Sequence, residues 1–354
     1  MAEKIKVGVL GLGRAGRGMH LNELNKYYKD KFEFVAGCDK DPEQIETTRN
    51  LYPDARYYSD MNELFADPEV ELVTIATRSL DHVDHALMAF NAGKKVFCEK
   101  PVAASVAEFD RLVEAEKSRP GSIFIRHNRR FEPAFNQIRD IIASGKLGWV
   151  YEIKLARNAF QWRSDWQTFK EYGGGQLLNW GPHIIDHALR FLESPVKSLW
   201  SNLKLVAAKA DAEDHIKIIL EGENGRIVDL EISGGTAISD PVYVIHGTRG
   251  SLTSNDECRL KVKYMNPAIP LPEFSSDRGN PKGFGNAYTP AWVEDDLQVA
   301  PANGYDCHKI WVNLYEAIRE GKDYLIKMDE AREVVRITEM VRQGAIDNAR
   351  DKKF

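Results

Sequence analysis

The residues best suited to chemistry begin at Gly11-Leu12-Gly13-Arg14-Ala15-Gly16, a GxGxxG set between a β-rich run and a helical stretch. Strand, glycines, then helix is the context in which this motif holds a dinucleotide. Gly11 permits the tight turn, Gly13 lets backbone N–H groups approach a pyrophosphate, and Gly16 lets the helix pack closely on the strand. The helix N-terminus then turns its partial positive charge toward the anion. Asp39, 23 residues past Gly16, can accept hydrogen bonds from an adenine-ribose 2′-OH and repel a 2′-phosphate, which favours NAD. Lys40 and Arg14 can offset that charge and pair with a 2′-phosphate, so NADP stays open. A second polar concentration runs from Gly173 through Asn179, His183 and Asp186 to His187. In a helix Asn179 and His183 are i, i+4 neighbours and Asp186 lies three residues further on, so the three share one face. Pro182 interrupts that face and predicts a kink, or a helix starting near Pro182 with Trp180 or Gly181 at its cap. Either geometry puts His183 at an irregular position, which suits catalysis better than packing.

Alternating elements must hold these groups. A strand at Ile5–Leu10 leads into the glycines, a helix runs to about Tyr28, and a second strand from Phe32 to Cys38 ends at Asp39. Leu72 to Ala76 is a continuous apolar strand suited to a parallel sheet covered on both faces. A helix from about His82 to Ala92 follows, then a strand at Lys95–Cys98, a helix from about Ser105 to Lys117 and a strand at Ile123–Ile125. Open α/β sheets bind ligands at strand carboxyl ends, so Thr77, Arg78 and Glu99-Lys100-Pro101 are expected beside the nicotinamide. The periodicity changes near 124 to 130, which divides the chain into a cofactor unit, 1–125, and a second unit, 126–354, for substrate and assembly. The second unit reads as a helix at Pro133–Ser144, then strands at Trp149–Arg157, Val196–Leu205, His215–Leu220, Ile227–Gly234, Val242–His246 and Leu260–Tyr264. Their period-two alternation and turns such as Glu223-Asn224-Gly225 predict an antiparallel sheet. Segment 265–303, rich in Pro, Gly and Asn, reads as a long loop, and helices at about 305–320 and 329–347 close the chain. The fold class is α/β: a doubly wound parallel sheet followed by an α+β unit with a large, open, mostly antiparallel sheet.

The chain has 354 residues, 43% hydrophobic and 29% charged, with a formal net charge of −5. This excludes a disordered chain and a strongly basic nucleic-acid binder. No apolar run approaches the ~18 residues of a membrane helix. Met1-Ala2-Glu3-Lys4 leads straight into a strand with no secretory core, so a cytoplasmic location is expected. Cys38, Cys98, Cys258 and Cys307 are far apart with no CxxC pair, which fits reduced thiols better than disulfides or structural zinc.

Taken together, GxGxxG, Asp39, Glu99-Lys100-Pro101 and Gly173 to Asp186 resemble the glucose–fructose oxidoreductase / inositol dehydrogenase / rhizopine-catabolism (Gfo/Idh/MocA) family. Ile245 to Leu252 looks like that family's sheet-edge glycine turn. The resemblance implies a Rossmann domain, then a domain whose open sheet supports a homo-oligomer, a dimer or tetramer. It implies hydride transfer between NAD(P) and a secondary alcohol or ketone of a sugar, cyclitol or sugar derivative. Lys100 matches the active-site lysine of Glu-Lys-Pro, His183 the histidine of Asp-x-Gly-x-His, Asp186 the aspartate three residues later, and His82 the histidine of the helix after Ala-Thr, which implies a place for His82 at the cofactor. Asn179 departs from the family's aspartate, and Arg78 from its proline.

On that reading His183 is the general base, since an ordinary histidine titrates near neutral pH. Lys100 holds the substrate oxygen, stabilises charge on it and can relay the proton. Asp186 orients His183 or stabilises its protonated form, and Asn179 donates to or accepts from a substrate hydroxyl. Aromatic faces pack on sugar C–H faces, so Trp162 is a substrate candidate, with Arg163 and Arg157 as polar contacts. Arg129 and Arg130 suit interdomain ion pairs as well as ligand contacts. Three other readings stand beside this one: glycoside cleavage or epimerisation with the cofactor recycled in each turnover, a non-catalytic nucleotide sensor, and zinc hydrolysis through His183, Asp186 and His187. The last leaves the dinucleotide fingerprint unexplained, and no resident metal is expected.

Overall fold

The computed structural model describes residues 3–271, 289–300 and 306–348. The first half alternates β1 (Ile5–Leu10), α1 (Asn22–Tyr27), β2 (Phe32–Cys38), α2 (Pro42–Leu51), β3 (Arg56–Tyr58), α3 (Met61–Ala66), β4 (Leu72–Ile75), α4 (His82–Asn91), β5 (Lys95–Cys98), α5 (Val106–Ser118) and β6 (Ile123–Ile125). The strands pair in parallel in the order β3-β2-β1-β4-β5-β6. Every residue of β4 is buried, as a strand sandwiched between two helical layers requires. The chain returns from β3 to β4 beside β1, and this reversal opens a crevice at the carboxyl ends of β1 and β4. The predicted first helix forms with a wider opening than expected, because Gly16–Leu21 is π-wound before α1 begins. Ser105 caps α5 by accepting the Glu108 N–H at 3.2 Å.

The second half contains α6 (Pro133–Ala143), β7 (Val150–Asn158), α7 (Gln176–Asn179), α8 (Gly181–Leu192), β8 (Val196–Lys204), β9 (His215–Gly222), β10 (Ile227–Ser233), β11 (Tyr243–Gly247), β12 (Gly250–Ser254), β13 (Arg259–Met265), β14 (Trp292–Gln298), α9 (Ile310–Arg319) and α10 (Met328–Asn348). Its strands form a sheet in the order β14-β13-β12-β11-β7-β10-β9-β8 among the described residues. Alternate residues of β9 are buried. Ile216, Ile218 and Leu220 share a core with Ile184, Ile185 and Ala188 of α8, so α8 covers one face while the other faces solvent.

The sheet is mostly antiparallel, as expected, with β7 and β10 running parallel in its middle. Two of its strands carry too little apolar alternation to be read from the sequence. Strand β12, which returns from β11 at Gly247–Gly250, lacks the apolar alternation that marks its neighbours. Segment 265–303 is not one loop: its described part contains β14, paired with β13, while 272–288 and 301–303 lie outside the described residues. β14 escaped notice because it is an edge strand whose outer pairs are ionic, Lys263–Glu294 at 2.6 Å and Arg259–Asp296 at 2.8 Å, so it carries little hydrophobic signal. The core of the first sheet also extends past residue 125. Ile310, Trp311 and Leu314 of α9 are fully buried in it, and the Trp311 ring meets Phe97 edge-on at 4.8 Å and Phe32 at 5.3 Å.

Candidate active site

The site starts where β1 ends. Gly11 has φ +91°, and a Cβ there would lie 2.6 Å from the Ala76 carbonyl oxygen, so no larger residue fits that turn. A Cβ on Gly16 would lie 1.8 Å from Gly11 O, whereas one on Gly13 would meet nothing within 4 Å. The three glycines therefore serve the turn, the helix contact and open space, in that division. Among the described residues no acceptor takes the N–H groups of Gly13, Arg14 and Ala15, which leaves donors facing the cavity as a pyrophosphate needs. Asp39 closes the cradle: its Oδ2 accepts the Leu12 N–H at 2.7 Å and its Oδ1 the Asp41 N–H at 3.0 Å. Lys40 and Arg14 are exposed beside it. These residues fit a dinucleotide, with the pyrophosphate over Gly13 and the adenosine ribose at Asp39.

At the carboxyl end of β5 the backbone turns through a cis Lys100–Pro101 bond. Glu99 is expected at the cofactor, but its carboxylate points inward. Oε1 accepts from His20 Nε2 and Arg126 Nη1, both at 2.8 Å, and Oε2 accepts the Lys100 N–H at 3.1 Å. Burial raises this carboxyl's pKa, and Arg126 and His20 more than reverse it, so Glu99 is held below the usual carboxylate range. Arg126 continues to Glu23 at 2.7 Å, which accepts Trp311 Nε1–H at 2.6 Å. His82 is also expected to touch cofactor. Instead its buried ring stands between two carbonyls, Pro101 O at 2.7 Å and Thr77 O at 3.2 Å, tying the ends of β4 and β5 together. Thr77 Oγ1 lies 3.0 Å from His85 Nδ1.

Lys100 reaches across to the second half, donating to the Asn179 carbonyl oxygen at 2.8 Å. Burial pulls its amine down from 10.5 to about 8; Glu99 opposes this, while Arg129, Arg14 and Arg126 reinforce it. The anticipated break at Pro182 is present: α7 ends at Asn179 and α8 starts at Gly181 with Pro182 in its first turn. Asn179 and His183 therefore sit on successive helices, joined by His183 N–H to Trp180 O at 3.0 Å. His183 is 8% exposed, and its Nδ1 has no hydrogen-bond partner. Burial, then the charges of Lys100 and Arg129, push its pKa well below the ordinary histidine value, so the ring is neutral at physiological pH.

Asp186 does not orient His183. It forms a two-pronged pair with Arg130, Nη2 to Oδ1 at 2.6 Å and Nε to Oδ2 at 2.8 Å, and Arg130 also engages Glu330 of α10. Burial opposes ionisation of Asp186, and Arg130 more than restores it. His187 stacks on Phe135 at 3.9 Å and turns Nε2 to Arg129 O at 2.9 Å. Asp186 and His187, two of the three proposed zinc ligands, are thus committed to other partners, and among the described residues no three His, Cys, Asp or Glu side chains converge as metal ligands.

The expected substrate contacts divide. Arg157 is turned inward, donating to Glu257 at 2.5 Å and to Tyr243 Oη at 3.4 Å. Trp162 is 65% exposed and stands outside the depression that Arg163 and Asn179 line with Gln161, Gln167, Gln176 and Glu213. Arg163 reaches Asp165 at 2.6 Å and also Gln167. Arg78 lies over the Tyr172 ring at 4.6 Å, bridging the β4 end to the segment before the triple glycine. Sequence reasoning passed over His20, Arg126, Gln167 and Glu213, which carry no motif and meet the site only through tertiary packing. No described helix is long and apolar enough to cross a membrane.

Two family models match this chain: the oxidoreductase family with NAD-binding Rossmann fold over residues 5–127, and the GFO/IDH/MocA C-terminal domain over residues 135–253. The chain is 26% identical to the scyllo-inositol 2-dehydrogenase (NADP(+)) IolW of Bacillus subtilis, over 99% of this chain and 95% of that protein. It is 36% identical to an inositol 2-dehydrogenase of Acidothermus cellulolyticus, covering 65% of this chain and 66% of the other. An NAD-binding protein from Listeria innocua superposes with a TM-score of 0.81 at 22% identity, over 98% of this chain and 96% of that one. With its glycine cradle, its Glu99-Lys100-Pro101 strand end and both family domains in sequence, the chain belongs to the Gfo/Idh/MocA family and is an NAD(P)-dependent oxidoreductase.

Proposed function

We propose that the protein interconverts a secondary alcohol and a ketone on a sugar, cyclitol or sugar derivative, using NAD in preference to NADP. The observation that carries this is Lys100 Nζ placed at the carboxyl end of β5, beside the glycine cradle and hydrogen-bonded across to Asn179 O at 2.8 Å, next to buried His183. The nicotinamide, when bound, accepts or returns the hydride. The protein must then manage the hydroxyl proton. His183, neutral and with its charged form penalised, suits a hydrogen-bonding partner that orients the hydroxyl. Lys100, drawn down to about 8, is the better proton acceptor at Nζ in its amine form, and in its ammonium form it stabilises negative charge on the substrate oxygen. Asp186 acts at one remove, fixing α8 through Arg130. The two inositol dehydrogenases among the relatives favour a cyclitol or similar polyol, and Asp39 favours the unphosphorylated ribose.

The test is to follow NAD⁺ and NADP⁺ reduction against inositols, sugars and sugar acids, with Lys100→Met as control. We expect turnover with at least one neutral polyol, lost by at least about a thousandfold in Lys100→Met while cofactor affinity is retained. Unchanged turnover in that variant refutes the assignment. Alcohol oxidation should rise with pH through about 8 as the amine form of Lys100 accumulates, and ketone reduction should fall over the same range. Exposed Trp149, Tyr151 and Trp200, 53%, 41% and 51% accessible on or beside the open sheet, support a homo-oligomer formed through that sheet. Light scattering that returns a monomer would remove this part of the reading.

A further inference from the structure

The depression beside Asn179 has a chemical character that the reaction centre does not require. Its lining includes Gln161, Arg163, Gln167, Gln176, Asn179 and Glu213 beside the apolar Ala208 and Ala212, so most of the side chains that enter it can make hydrogen bonds. Its cation is already matched, because Arg163 is paired with Asp165 at 2.6 Å. Asp214 is also spent: its carboxylate accepts the N–H groups of Val206, Ala207 and Ala208 at 2.6, 2.8 and 2.6 Å.

Glu213 is different. Its Oε1 accepts the Leu177 N–H at 3.0 Å, and its main-chain oxygen accepts the Gln176 N–H at 3.0 Å, which seats the carboxylate at the start of α7. The seat exists because residue 175 is glycine: a Cβ there would lie 2.1 Å from Glu213 Oε1. Among the described residues Oε2 has no hydrogen-bond partner and no cation lies within ion-pair distance of the carboxylate, Lys170 and Arg342 acting on it only from farther off. Burial pushes this carboxyl upward from its ordinary value, so donors arriving in the depression stabilise it. Gln176 Oε1, in the same lining, is buried without a partner. Glu213 and Gln176 thus bring acceptors to the same lining as Asn179, whose carbonyl holds Lys100.

We propose that Glu213 is a specificity-determining residue, whose carboxylate accepts a hydrogen bond from a hydroxyl remote from the reacting carbon and repels substrates carrying a carboxylate at that position. The proposal rests on the dehydrogenase reading and adds a substrate class to it: neutral polyhydroxy compounds rather than sugar acids. It also accounts for Asn179. The acidic group that the family resemblance leads one to expect at that position is absent, and an acid is supplied instead from the entrance to β9.

The test compares a matched pair, glucose and glucuronate, together with inositol, in the wild type and in Glu213→Gln. Glutamine keeps the oxygen that accepts Leu177 N–H, and unchanged cofactor affinity reports an intact fold. We expect KM for the neutral substrate to rise on the order of tenfold with kcat changed less than about twofold, as loss of a hydrogen bond to a charged acceptor implies. The preference for the neutral over the acidic compound should shrink at least about tenfold. Equal effects on both compounds, or unchanged KM values, overturn the proposal. If the wild type oxidises none of these compounds, it is the dehydrogenase reading that fails. Glu213 is then judged by calorimetric binding of the same compounds to cofactor-loaded protein. A neutral-over-acid preference that collapses in Glu213→Gln supports the assignment, and no preference, or one that survives the substitution, overturns it.

Discussion

Replacing Lys100 by methionine should make the protein more stable at neutral pH and less stable in alkali, while abolishing turnover. The side chain is held at about 8 against 10.5 in an unfolded chain. At about 1.36 kcal/mol for each pH unit between those values, keeping the ammonium in the folded state costs about 3 kcal/mol. The residue is partly exposed in the cleft, so water screens some of this and about 2 kcal/mol is the better expectation. Methionine also forfeits the bond to Asn179 O, worth about 1 kcal/mol. The sign follows from proton counting. Between pH 8 and 10.5 the unfolded chain binds more protons at this position than the folded one, so wild-type stability rises with pH there, whereas the variant lacks that titration. The variant should therefore be more stable by about 1 kcal/mol at pH 7 and less stable by a similar amount near pH 10.5. Urea unfolding of both proteins at pH 7, 9 and 10.5 reads this as a crossing of midpoints at constant m-value. Other titrating groups are common to both and cancel. A difference that does not vary with pH would refute the burial argument for Lys100, and with it the proton-acceptor role.

Further outcomes follow from the same geometry. Gly13→Ala places a methyl in open space, so stability should stay within about 1 kcal/mol of wild type while dinucleotide affinity falls at least about tenfold; Gly16→Ala, whose Cβ would meet Gly11 O at 1.8 Å, should lose both, and melting with fluorescence titration separates the two. Asp39→Ala removes the acceptor of Leu12 N–H and the barrier to a 2′-phosphate, so the NAD-to-NADP affinity ratio should drop by roughly tenfold or more. Arg130→Met leaves Asp186, 1% exposed, as an unpaired charge and should cost about 3–5 kcal/mol, most of it recovered in Arg130→Met/Asp186→Leu. Because Asp186 is held below its ordinary value, the wild-type pair contributes fully above the unfolded pKa near 3.8 and is lost only as pH falls through the folded value; denaturant titrations at pH 7 and pH 3 test that window.

Much of the cofactor half was legible before any coordinates. The glycines of 11–16, Asp39 and the apolar run of β4 are local signals, because turn sterics, capping and full burial of a parallel strand are each satisfied within a few residues. The break at Pro182 was legible for the same reason, since a proline accepts only the first turn of a helix. Edge strand β14 and the parallel contact of β7 with β10 were not, because an ionic edge lacks apolar alternation and strand direction is set by which distant partner is met. The site shows the same division. Lys100, Asn179 and His183 are named by their motifs, but the sequence cannot say that Lys100 donates to the Asn179 backbone, that Arg130 claims Asp186, or that Glu99 turns inward to His20 and Arg126. A side chain's type decides what chemistry it can do. Whether it is buried, which charge faces it and which partner satisfies it depend on residues far away in the chain, and at Glu213, Arg157 and Asp186 it was that packing alone that decided the role.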